Sequence, residues 1–194
     1  MIKYLAVFIL LASGYLIYTQ FPESHGPGIT AKEQPKLSRL AWQKPFTFKG
    51  ATLSPTKLIN AEVRIIKKKR YFFDDFSKYS PVDALIGWNE LSDERNLDHI
   101  YFKLSGRKFE LDLTRPPLEV PKIYAESDLW HLIPATSDID EKLKSLRNGN
   151  IIHLKGIVVN VSNETSFDFI SASDLNQNNR DASFSIWIEE LHIR

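Results

Sequence analysis

The chain has no cysteine, which excludes disulfide frameworks, thiol nucleophiles and thiolate metal sites. It has no charge excess either. Its 25 basic and 24 acidic residues leave +1, so nothing in the bulk electrostatics argues for nucleic acid or an anionic membrane surface as a partner. The spacings GxSxG, GxGxxG and HExxH are missing, as are a Walker loop and an EF-hand, and the histidines at 25, 99, 131, 153 and 192 stand singly. Neither a metal site nor a cofactor is expected on these grounds.

Long apolar runs are also missing, with one exception. Residues 4–18, YLAVFILLASGYLIY, carry no charge and follow a single Lys3. With Ile2 and Thr19 the run reaches about 17 residues, the lower limit for crossing ~30 Å of hydrocarbon. Ala12-Ser13-Gly14 offers small residues for signal cleavage, but the apolar run continues through Tyr15, Leu16, Ile17 and Tyr18. An uncleaved signal-anchor over residues 1–19 is the expectation. Lys3 on the short side keeps the amino terminus inward, so the carboxyl-terminal body faces the periplasm or the exterior of a bacterial inner membrane. Residues 20–44 carry Pro22, Gly26, Pro27, Gly28 and Pro35 among polar residues and read as a flexible linker. Residues 45–194 form the domain, a length that allows one real core.

Residues 137–161, SDIDEKLKSLRNGNIIHLKGIVVNV, organise that domain. Ser137 followed by Asp140 predicts a capping box, and Ile139, Leu143 and Leu146 share one helical face. Asn148-Gly149 is the expected stop. The run 151–161 is rich in β-branched residues and reads as a strand, with Gly156 marking a bulge or sharp bend. Further strands are expected over 45–52, 58–73, 167–172 and 182–193, with a hairpin turning at Ser105-Gly106 within 99–113. A second capped turn is expected over 80–87, with Ser80 as cap, Pro81 at the first helical position and Asp83 closing it. The sum is a mainly β domain, a small barrel of OB-like or related type with two short helices, preceded by one amino-terminal hydrophobic helix.

Two groups of residues invite a functional reading. Lys67, Lys68, Lys69, Arg70 and Tyr71 form a basic-aromatic patch of the kind that tracks phosphates and stacks bases. An exposed strand end whose charges deter edge pairing explains it more simply, because Asp74 and Asp75 follow at once. Ser80, Asp83, Trp88 and His131 are polar or aromatic residues in two dense motifs, and they form a candidate cleft if the fold brings 83 and 131 together.

The stretches SPVDALIGW with NELSD, HLIPA, LRNGNIIHLKGIVV and FISASDLNQNNRDASFSIWIEEL resemble a family of small bacterial proteins of unknown function. That family's pattern runs SPVDLALGWGPMSD, HLIPA, a GD-V-LxG strand and a W-SS-TR-DTG-GACE ending. The last stretch departs from it, with Asn178-Asn179-Arg180 in place of DTG and Ser185 in place of cysteine. The resemblance implies a shared fold and no reaction.

The residues favour a membrane-anchored, extracytoplasmic binding module, tethered through residues 2–19 and touching a protein partner in the envelope. An envelope-acting hydrolase or lyase using Asp83 and His131 is the first alternative, and single-stranded nucleic-acid binding through the basic-aromatic patch is the second.

Overall fold

In the computed structural model the described residues are 2–163, 167–172, 175 and 183–194, and they form a mainly β protein whose sheet closes on itself. One strand makes the closure possible. β3 (Ala51–Arg70) is 20 residues long and serves two partners in turn. Its first part pairs antiparallel with β8 (Ile151–Asn163), from Thr52 opposite Ser162 to Arg64 opposite Ile151. Its last part pairs antiparallel with β4 (Val82–Gly87), from Arg64 opposite Gly87 to Arg70 opposite Val82. Register shifts at Pro55/Lys57 and Ile65/Lys67 bend the strand between these tasks. The first shift also accommodates Pro55, which has no N–H to give a ladder.

From β4 the path continues through β7 (Ser127–Pro134) and β10 (Phe184–Ile193) to β8, and so back to β3. The β7–β10 pair is parallel and every other pairing in the ring is antiparallel. Short strands β1 (Lys36–Arg39), β2 (Phe46–Phe48) and β9 (Phe167–Phe169) extend it at β3 and β8. The two strands expected over 45–52 and 58–73 are therefore a short β2 and one continuous β3.

Inside the ring lies an apolar cluster that includes Val63, Ala84, Ile86, Trp88, Trp130, Leu132, Val158 and Ile186. Helix α4 (Ser137–Ser145) joins it through Ile139 and Leu143, with Leu146 just beyond the helix end. Its cap is not Ser137. Thr136 holds the extended backbone that a cap requires, and its hydroxyl accepts from the Ile139 N–H at 3.3 Å. The helix also stops earlier than Asn148-Gly149, because Leu146 turns out of it to stay buried, while Gly149 takes a φ of +90° in the turn into β8.

The capped turn expected over 80–87 is instead strand β4, held between β3 and β7 with all six residues buried. Its alternation is real but two-sided. Val82, Ala84 and Ile86 face the ring interior, while Leu85 joins an outer cluster with Leu129, Ile100, Phe102, Leu104 and Ile123. That outer layer is supplied by the segment between β4 and β7: a 3-10 turn (Asn89–Ser92), α2 (Glu94–Leu97), the hairpin β5 (Ile100–Ser105) and β6 (Lys108–Leu113), and α3 (Val120–Ala125). The hairpin turns at Gly106 and Arg107, both at positive φ, as a two-residue turn of this twist requires.

Among the described residues no helix is long and apolar enough to cross a membrane; α1 (Ile2–Gln20) is the amino-terminal element. In the segment expected as a linker, part of the chain lies along the body. β1 pairs with β3, Ala31 is buried, and the Glu23 carboxylate accepts from Asn150 and from Arg147. Glu94 fastens the same segment, accepting from the His25 N–H at 2.7 Å, the Ser24 hydroxyl at 2.9 Å and the Arg64 guanidinium at 2.6 Å. Burial alone would raise the Glu94 carboxyl, but the bonds from Arg64, His25 and Ser24 outweigh it and hold it at about 2. A depressed carboxyl stabilises the fold above its unfolded value and loses that contribution as pH falls toward the folded one. Denaturant unfolding across an acid titration is therefore expected to show a loss of about 1 kcal/mol between about pH 4.5 and 2, after allowing for solvent screening, that Glu94→Gln removes. An unchanged acid limb in the variant would rule this clamp out.

Candidate functional site

Two of the four candidate cleft residues meet. Asp83 and His131 are direct partners in the antiparallel β4–β7 register, so their side chains leave the same face of adjacent strands. His131 Nδ1 lies 2.7 Å from Asp83 Oδ1, and both side chains are wholly buried. Ser80 contributes from the loop before β4: its carbonyl accepts from Arg107 at 3.1 Å and its hydroxyl donates to the Val82 carbonyl. Trp88 does not join them. It lies past the opposite end of β4, inside the ring core.

Two residues complete the arrangement that the sequence reading did not single out. Arg107, at the tip of the β5–β6 hairpin, donates to Asp83 Oδ1 at 2.8 Å and to Asp74 Oδ1 at 2.7 Å. Its guanidinium lies 4.0 Å from the Tyr71 ring centroid and 4.8 Å from that of Phe76. Its only advance signal was its place in a hairpin turn. Ser183, just before β10, has its Oγ 3.0 Å from His131 Nε2. It follows a polar stretch without apolar period, so nothing marked it. Burial, followed by the nearby Asp83 charge, pushes the Tyr71 phenol up to about 12.

Aromatic rings wall the buried histidine. Phe76 and Phe169 stack with centroids 4.8 Å apart, and both meet His131 edge-on. Ser183 is where this polar chain approaches solvent, lining a cleft of about 240 Å³ with Arg107, Lys108, Asp168, Phe169 and Ile170. Phe72 and Phe73, in the loop between Tyr71 and Phe76, are 63 % and 99 % exposed. A larger groove of about 650 Å³ runs between residues 29–36 and β3, lined by Glu33, Lys36, Glu62, His153 and Arg194. Among the described residues no three histidine, aspartate or glutamate side chains are placed to hold a metal ion. Residues 178–180, where the resemblance breaks, lie outside the described residues.

The basic-aromatic patch has other employment. Alternation along β3 sends Lys67 and Lys69 toward the hairpin, where they donate to the carbonyls of Phe102 at 2.6 Å and Leu104 at 3.2 Å. Lys68, on the other face, donates to the carbonyls of Leu146 and Lys144, and burial, with Arg70 nearby, lowers its ammonium to about 8. Arg70 lies over the Phe72 ring. These residues are the end of β3, paired with β4 on one side, with the Lys68 N–H on the other side donating to the Asn148 side chain; Lys67 to Lys69 are half-buried and Arg70 is exposed. Replacing Lys67 and Lys69 together by glutamine is expected to loosen residues 100–113, at about 1 kcal/mol per lost bond. Hydrogen exchange of that hairpin measures it, and unchanged protection would contradict the assignment.

Comparisons with known protein families, curated proteins and solved structures return no match for this chain.

Proposed function

We propose that the protein is an extracytoplasmic binding module built on an OB-like barrel, tethered to a bacterial inner membrane through residues 2–19, with its ligand site at the rim around Arg107 and Ser183. The ring order supports the barrel. Counting β3, β4, β7, β8 and β10 as strands one to five, the order around the ring is 1-2-3-5-4, closing on 1, with α4 between strands three and four. That order supports an OB-like barrel, a type whose ligands bind on the face of strands two and three and on the loops joining one to two and four to five.

In this chain the first of those surfaces is taken. The β5–β6 hairpin and α3 cover β4 and β7, leaving both strands buried throughout. What remains are the loops, residues 71–81 and the connection after β8, which meet at the Phe76–Phe169 stack. The observation that carries the reading is that Ile170, 76 % exposed, lines this polar cleft, while the loop 71–81 that packs on Phe169 through Phe76 presents Phe72 and Phe73 to solvent. Exposed apolar side chains gathered around polar groups mark interaction sites, and an apolar segment of an envelope protein is the partner they suit. The lysines that motivated nucleic-acid binding are engaged with carbonyls, which leaves that alternative without its support.

Photo-crosslinking in intact cells tests it. A crosslinking residue at 73 or 170 is expected to yield one discrete protein adduct, and the same residue at 192, toward the other end of β10, none. Adducts at 192 alone, or at no position, would overturn the site. A carboxyl-terminal reporter active only in the cytoplasm would overturn the location.

A further inference from the structure

We propose that Ser183 is a nucleophile and that Ser183, His131 and Asp83 together hydrolyse a short-chain carboxylic ester held in the cleft beside Arg107 and Lys108; this rests on the rim being the ligand site. The three side chains come from segments distant in sequence, yet they are in line. Ser183 Oγ lies 3.0 Å from His131 Nε2, and His131 Nδ1 lies 2.7 Å from Asp83 Oδ1. Strand pairing fixes this line: Asp83 is opposite His131 in the β4–β7 ladder, and the parallel β7–β10 ladder places Ser185 opposite His131, with Ser183 two residues upstream.

The order of burial is also what a nucleophile needs. Asp83 and His131 are shut away from water, while Ser183 lines the cleft at 7 % exposure. A carboxylate against Nδ1 holds the ring proton there, which leaves Nε2 free to accept the hydroxyl proton. Arg107 fixes the carboxylate from its other side, and its guanidinium is itself held by bonds to Asp74, Asp83 and the Ser80 carbonyl. Asp83 and Arg107 are positioning residues.

The reaction balances with water as the only co-reactant. Ser183 Oγ bonds to the ester carbonyl carbon as its proton passes to His131 Nε2, and the carbonyl oxygen takes the negative charge within the cleft. Collapse breaks the bond to the alkoxy oxygen, which leaves as the alcohol with the proton from Nε2. Water then attacks the acyl-serine, giving a proton to Nε2, and the acid departs as that proton returns to Oγ. The cleft of about 240 Å³ is smaller than a typical drug-sized site, and a short acyl group is what it can cover.

The test uses the full-length chain in detergent, with a fluorophosphonate probe and p-nitrophenyl acetate. The expected result is probe mass on the peptide carrying Ser183 and a nitrophenolate burst stoichiometric with protein. Ser183→Ala is expected to abolish both while keeping the wild-type melting temperature. Asp83→Asn is expected to slow labelling by about 10³- to 10⁴-fold. His131→Gln is expected to abolish labelling, with circular dichroism reporting its fold. No adduct on the wild type, turnover surviving in Ser183→Ala, or unchanged labelling in folded Asp83→Asn would overturn the proposal. The two readings fail separately. Crosslinks at 73 without a serine adduct leave the binding module and remove the nucleophile, and an adduct without crosslinks does the reverse.

Discussion

Replacing Asp83 by alanine is expected to lower the unfolding free energy by roughly 3–5 kcal/mol, measured by urea denaturation of the protein. The carboxylate is wholly buried and serves two partners through one oxygen, Arg107 Nη1 at 2.8 Å and His131 Nδ1 at 2.7 Å. Its loss leaves the His131 ring N–H without an acceptor, and it leaves an Arg107 that is only 9 % exposed with Asp74 as its one remaining carboxylate. Removing one member of a buried charge pair is costly because the other stays desolvated, which is a different quantity from the net worth of the pair. The double variant Asp83→Ala with Arg107→Ala is therefore expected to be less destabilised than the sum of the singles, by at least about 1 kcal/mol. A single variant within 1 kcal/mol of wild type would show that the carboxylate is not the anchor described.

What could be read along the chain divides by how far the decisive contact reaches. The β5–β6 hairpin, the apolar face of Ile139 and Leu143, and the β-branched run of β8 are local patterns, and they appear close to where the residues put them: the turn falls one residue on, at Gly106-Arg107, and Leu146 lies just past the helix. β4 was misread for a physical reason. SPVD satisfies the rules for a capped turn, and a strand buried on both faces loses the period that would have announced it. The Lys67 to Arg70 cluster misled in another way, because composition marks charge but not its destination, and three of these side chains end on carbonyls. The candidate site was half legible. Asp83 and His131 stood in dense motifs, but their meeting depends on a ladder between segments 48 residues apart, and Arg107 and Ser183 enter only once the hairpin and β10 are in place.

Gly156→Ala is expected to destabilise the protein by at least about 4 kcal/mol, and Gly156→Val to prevent soluble expression. Gly156 sits midway along β8 with a strand on either side, opposite Ile59 of β3 and Ile188 of β10. A Cβ there would come within 2.1 Å of the Trp187 carbonyl oxygen and 3.1 Å of Ile188 Cα. Both are backbone atoms, so no rotamer change relieves the clash. The close approach accompanies a register shift in β10 between Ile188 and Glu190, where the ladder bends. Opening the β8–β10 seam would displace the segment of β10 that runs parallel to β7, and with it the Ser183–His131 contact. Gly149→Ala is the contrasting case. Its Cβ would fall within 1.9 Å of the Glu23 carbonyl oxygen at a φ of +90°, but the obstacle is the segment at 23–25, which lies outside the ring and can give way by breaking its own bonds to Asn148, Asn150 and Glu94. Hydrogen exchange separates the two outcomes: Gly149→Ala raises exchange around residues 21–31 alone, whereas Gly156→Ala raises it across β8, β10 and β7 together. A Gly156→Ala variant with wild-type stability would mean that β8 and β10 do not close the ring at this distance.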